Sequence, residues 1–105
     1  MELNTLERLL LLAILPAEGD YTTLKIVRAL REDLSFTEEE HARLKLITDD
    51  KQTRWDLSAD TYRGYIFGIK AAAIIRDRLE KMNVEKKLTE QHLSIYEKFV
   101  EISPV

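Results

Sequence analysis

Phe36-Thr37-Glu38-Glu39-Glu40-His41-Ala42-Arg43-Leu44 runs on, past Lys45, into Leu46-Ile47-Thr48-Asp49-Asp50-Lys51-Gln52-Thr53-Arg54-Trp55, and the pairing of these two stretches decides the fold class. Thr37 with Glu40 three residues later is the capping-box spacing, so a helix starts there. The helix is short and ends near Leu44. Leu46 and Ile47 then lead into a polar turn over residues 48–52, and Thr53-Arg54-Trp55 continues as a strand. A short helix that gives way to a strand pair implies an α+β chain, not an all-helical one.

Upstream, Asn4 and Glu7 repeat the capping-box spacing, and the first helix runs through Leu15 to a stop at Pro16. Leu6, Leu9, Leu10, Ala13 and Ile14 form one stripe, while Leu11, Leu12 and Leu15 fall on the other side. A helix apolar nearly all round is buried on more than one face, either as a central helix wrapped by its neighbours or at a subunit interface. Residues 17–20 are a turn. The second helix starts at Tyr21 or Thr22 and ends at Leu34, with Ile26, Val27, Leu30 and Leu34 as its core stripe. Lys25 and Arg28 share the opposite face, with Arg31 at the edge.

Downstream, a break at residues 57–60 precedes Tyr62-Arg63-Gly64-Tyr65-Ile66-Phe67, whose β-branched and aromatic content favours a strand. Gly64 within it points to a bulge or a close backbone approach. Residues 69–84 switch to helical period, with Ala71, Ala72, Ile75, Leu79 and Met82 as a narrow stripe. Thr89 caps the last helix, with Leu88 and Leu93 spaced as a hydrophobic staple. His92, Leu93, Tyr96, Phe99 and Val100 line its inner face, and residues 103–105 are a frayed end. The expected architecture is one domain over residues 1–105, with about five helices and a small antiparallel β-sheet. The first helix and the narrow stripe lack obvious cover in so small a domain, so a homo-oligomer is expected.

The charge balance narrows the function. Lys and Arg number 16 against 19 Asp and Glu, for a net charge of −3, which gives no support to a protein that coats nucleic acid. With no cysteine, disulfides, thiolate nucleophiles and cysteine zinc sites are excluded. The longest apolar run, residues 9–15, falls far short of the roughly 20 residues a membrane span needs. No basic segment precedes it, so no signal peptide is read and a cytoplasmic protein is expected. Glu38 and His41 share a helix face, but a di-metal site needs a second such pair and further carboxylates, and Thr89 stands where His92 would need its glutamate. Ser35, Ser58, Ser94 and Ser103 lack a triad context, and there is no glycine-rich phosphate loop. No enzyme, cofactor or metal is expected.

Two groups of residues could bind a ligand. Arg54, Trp55, Tyr62, Arg63 and Tyr65, followed by Phe67, interleave arginines with aromatics, a composition that can stack a base and grip a phosphate. Plain strand alternation, with aromatics on the core face and arginines in water, produces the same pattern. Lys25, Arg28 and Arg31 form the alternative basic patch, which reads equally as a solvated helix face.

The segment Leu9-Leu-Leu-Leu-Ala-Ile-Leu-Pro-Ala-Glu-Gly-Asp20, with Thr23-Leu-Lys-Ile-Val-Arg28 and the ending Lys87-Leu-Thr-Glu-Gln-His-Leu-Ser-Ile-Tyr-Glu-Lys-Phe99, resembles small proteins of bacteriophages and prophages. That resemblance carries over no functional residue. It implies a protein that acts by binding: a homo-oligomer that inhibits a host defence by sequestering a small anionic, nucleotide-like ligand or by blocking a host protein. The order of elements, three short helices, a strand pair and a long helix, resembles winged-helix proteins and implies the alternative, a DNA-binding transcriptional regulator. Glu38, Glu39 and Glu40 argue against it, because three carboxylates at the front of the third helix would face phosphate.

Overall fold

The computed structural model describes residues 1–49 and 52–101, so part of the polar turn and the frayed end expected at residues 103–105 lie outside the described residues. The chain is α+β. Among the described residues there are five helices: α1 (Thr5–Ile14), α2 (Tyr21–Leu34), α3 (Glu38–Leu44), α4 (Ile69–Val84) and α5 (Leu93–Tyr96). Four two-residue strands accompany them among the described residues: β1 (Glu2–Leu3), β2 (Ile47–Thr48), β3 (Thr53–Arg54) and β4 (Arg63–Gly64). A 3-10 turn, Leu57–Ala59, separates β3 from β4. Among the described residues, no helix is long and apolar enough to cross a membrane.

The helix starts follow from local hydrogen bonding. The Glu7 amide donates to the Asn4 side chain at 2.9 Å and the Asn4 amide donates back to the Glu7 carboxylate at 3.0 Å. Thr37 and Glu40 make the same reciprocal pair at 3.1 and 3.0 Å. Asp20, read in the sequence only as part of a turn, caps α2 by accepting from the Thr23 amide at 2.7 Å. Each cap satisfies amides that have no partner inside their helix.

The strands form two separate antiparallel ribbons where the sequence pointed to one small sheet. β2 pairs with β3 as the hairpin, while β4 pairs with β1 at the start of the chain. β1 carries no sequence signal, because two residues ahead of a helix cap cannot show a period. Its existence depends on a partner some 60 residues away. The predicted strand over 62–67 shrinks to Arg63–Gly64, extended by a hydrogen bond from the Tyr65 amide to the Met1 carbonyl at 2.7 Å. Gly64 is neither a bulge nor a close approach: a Cβ there would meet nothing within 4 Å.

One core gathers α1, α2, α4, α5 and the β1–β4 ribbon. Leu3, Leu11, Leu34, Leu79 and Ile95 are wholly buried, and Ile14, Leu15, Val27, Leu30, Tyr65, Ile75, Met82 and Phe99 are nearly so. From Thr5 to Ile14, only Ala13 is exposed, so α1 is the central helix of its own chain. The α4 stripe is likewise covered from within, with Ile75, Leu79 and Met82 buried. Most of both surfaces that argued for a subunit interface is therefore covered by the chain itself, with Ala71 and Ala72 left partly exposed.

The last helix departs from its predicted face. Leu93 is half exposed, while Ile95 is wholly buried. A 3-10 turn at Glu90–His92 leads into α5, and a wider π turn at Glu97–Glu101 follows it. Tight and wide turns shift the helical phase, so a 3.6-residue period drawn from Thr89 picks the wrong residue. Tyr96, Phe99 and Val100 keep their inward places. His92 acts at the cap, where its Nδ1 accepts from the Thr89 amide at 3.0 Å.

Candidate functional site

The first turn of α1 places three polar side chains, Thr5, Glu7 and Arg8, in the interior. Arg8 is only 3% exposed, and every face of its guanidinium is used. Nε donates to the Leu34 carbonyl at 3.2 Å and Nη2 to the Ser35 carbonyl at 2.8 Å. Nη1 and Nη2 both donate to the Glu40 carboxylate. The Phe36 ring lies 3.9 Å from the guanidinium carbon. Arg8 thus ties α1 to the end of α2 and to the start of α3. Arg63 from β4 adds a second cation 3.6 Å from Glu40. These hydrogen bonds from Arg8, with help from the Thr37 amide and the charge of Arg63, hold the Glu40 carboxyl down at about 2, although burial pushes it up.

A second ion pair closes the other side of the turn. Lys98 donates to Glu7 at 2.7 and 2.9 Å and to the Glu2 carbonyl at 2.9 Å. Glu7 is 2% exposed and serves both as cap and as counter-ion. Thr5 completes the turn, with its hydroxyl and its amide both donating to Asp60, at 2.7 and 3.2 Å. Thr5, Glu7 and Arg8 are buried and hold the fold together. Sequence reasoning missed them because Glu7 and Arg8 look like surface charges on an amphipathic helix. The capping-box spacing marked Glu7 and Glu40 only as caps.

The structure disperses the interleaved arginine and aromatic residues. Arg63 points at Glu40 and lies 5.1 Å from the Tyr65 ring. Tyr65 belongs to the core, stacked on Phe67 at 5.8 Å, and desolvation raises its pKa. Phe67 in turn meets Phe99 edge-on at 5.3 Å. Tyr62 is exposed, with the Lys98 ammonium 5.5 Å from its ring centre. Arg54 and Trp55 sit instead on the hairpin side, where they line a shallow groove with exposed Leu57. Arg54 reaches Asp49 at 3.8 Å across the hairpin. Of the five, Arg63 and Tyr65 touch each other, Tyr65 from the core and Arg63 from the surface, where it reaches Glu40. Arg54 and Trp55 on the hairpin stand apart from Tyr62, Arg63 and Tyr65.

The alternative patch keeps its surface character. Tyr21, Leu24, Lys25 and Arg28 share one face of α2 and line a common concavity. Tyr21 is 77% exposed. Among the described residues neither Lys25, Arg28 nor the exposed Arg31 has an acidic partner, in contrast to Arg8, Arg54, Arg63 and Lys98. Spacing of i, i+3, i+4 and i+7 sets the aromatic, the leucine and both cations side by side. Glu38 and Glu39 stay exposed on α3, while Glu40 turns inward to Arg8. The third helix therefore presents two carboxylates, not three, to any partner. Comparison with protein-family models, with curated proteins and with solved structures finds no match for this chain.

Proposed function

We propose that the protein is a non-enzymatic binding protein that holds an acidic partner on the outer face of α2. The observation that carries this reading is the pair of cations Lys25 and Arg28, which have no acidic partner among the described residues and are flanked by exposed Tyr21 and Leu24. An exposed aromatic and an arginine are the residue types that anchor protein interfaces, with cations at the rim to steer the approach of an opposite charge. The face is open and not a deep cavity, so it suits the acidic surface of a protein better than a small ligand, which a pocket normally encloses. With the resemblance to small phage proteins, the partner is a host protein whose blockade would blunt a host defence. Sequestration of a nucleotide-like anion is the competing use of the same cations. DNA binding through α3 is disfavoured by Glu38 and Glu39 at its exposed start.

Affinity capture from host extract tests this, comparing wild type, the Lys25→Glu/Arg28→Glu double variant and Arg54→Glu. A host protein retained by wild type and Arg54→Glu, released by salt and lost with the α2 variant, is the expected result. Retention by the α2 variant with loss in Arg54→Glu moves the site to the hairpin groove and overturns the assignment. Calorimetry with a nucleotide panel and a DNA duplex decides the competing uses. Binding of either with no captured protein sinks the host-protein reading.

A further inference from the structure

We propose that His92 makes closure of the C-terminal helical stretch depend on pH: a neutral ring holds the stretch in place, and a protonated ring loosens it. The stretch runs from Glu90 to Glu101 as a 3-10 turn, the short α5 and a π turn. Thr89 caps it. In a capping box the side chain that reaches back to the cap is ordinarily Glu or Gln, as Glu7 and Glu40 do for α1 and α3. Here that position holds a histidine, and Nδ1 of His92 accepts from the Thr89 amide at 3.0 Å.

A backbone amide can only donate, so the bond fixes the tautomer: Nδ1 keeps its lone pair and Nε2 carries the hydrogen. Protonation places a hydrogen on Nδ1 and sets donor against donor. The Thr89 hydroxyl, 3.0 Å from the same nitrogen, can reverse its role and accept. The amide cannot, and it loses its acceptor. The new charge also falls at the start of a helix, where the dipole disfavours a cation. The charged groups around the ring are Glu90 on its own turn, the Glu85–Lys87 pair before it, and Glu97 and Lys98 on the turn that follows. Lys98 is committed to Glu7 of α1, and α4 meets α5 through neutral Asn83, which donates to the Tyr96 hydroxyl at 3.4 Å. Among the described residues no carboxylate pairs with His92 to offset the charge.

Tight and wide turns hold their hydrogen bonds less well than α turns, so a stretch built largely of them leans on its cap. This one inserts Ile95 and Phe99 into the core and carries Lys98 to Glu7. Proton uptake at His92 is thereby coupled to the cover over α1. The outer face of α2 takes no part, so this device stands or falls apart from the function proposed above.

Hydrogen exchange of residues 93–101, corrected for its intrinsic pH dependence and compared between about pH 7.5 and pH 5, tests this on the whole chain, because histidines take up their proton in that range. Wild type should lose about fivefold in protection there on acidification, the size of a lost cap. His92→Gln keeps a side-chain acceptor that does not titrate, and should show no such loss. His41→Gln, which removes the other histidine, should respond as wild type does. The proposal is overturned by wild-type protection that ignores pH, by an equal fall in His92→Gln, or by a response that vanishes in His41→Gln. Nitrogen NMR of the ring at neutral pH gives a check that needs no variant. Hydrogen on Nε2 is expected, and hydrogen on Nδ1 overturns the assignment.

Discussion

At the scale of the residue, the interior charges decide most. Arg8 and Glu40 are both nearly buried, so each needs the other far more than a surface pair would. Replacing Glu40 by Gln keeps the shape but leaves the guanidinium short of its counter-ion, and should cost about 3 kcal/mol near neutral pH. The folded carboxyl sits at about 2 against an ordinary 4.5. Its contribution is therefore complete above about pH 4.5 and fades as pH falls toward 2. Urea midpoints of wild type and Glu40→Gln should differ widely at pH 6 and converge only near pH 2. A gap that persists in acid would mean the carboxylate charge is not what matters. Lys98→Met should cost a similar amount, because it strands Glu7 inside, and adding Glu7→Gln should recover part of the loss. None of this was legible in the sequence. A charge three residues into a helix looks the same whether it meets water or a residue 91 positions away.

At the scale of the element, the sequence spoke clearly where the forces are local. The caps at Asn4 and Thr37, the stop before Pro16 and the switch to helical period at residue 69 all appear where the spacing put them. What failed was whatever depended on a distant strand or on phase: β1, the splitting of the sheet and the exchange of Leu93 for Ile95 in the core. One local feature also escaped notice. Lys45 closes α3 in the left-handed region at φ 52°, where a side chain is strained and glycine is not. Lys45→Gly should therefore raise stability, by about 0.5 kcal/mol after the added freedom of the unfolded chain is counted. A thermal midpoint that falls in this variant would show that the lysine side chain contributes packing the backbone strain does not outweigh. The candidate site was legible only as composition: Lys25, Arg28 and Arg31 remain on the surface, whereas Tyr65 is drawn into the core and the exposed Arg63 is engaged by Glu40, partners that composition cannot reveal.

At the scale of the whole molecule, the ends of the described chain meet. Glu2, Leu3 and Glu7 are joined to residues 63, 64 and 98, and α1 lies at the centre of a core completed by Ile95 and Phe99. Truncation after residue 92 should thus unfold the entire chain and not merely shorten it, which loss of helical circular dichroism would register. A truncated chain that keeps a cooperative thermal transition would contradict this. During synthesis the consequence is one of timing. The apolar first helix leaves the ribosome long before the lysine that neutralises Glu7 and the phenylalanine that covers it. Until then Leu11, Ile14 and Leu15 lack their final neighbours, so this apolar stretch stays uncovered until Ile95 and Phe99 have been made.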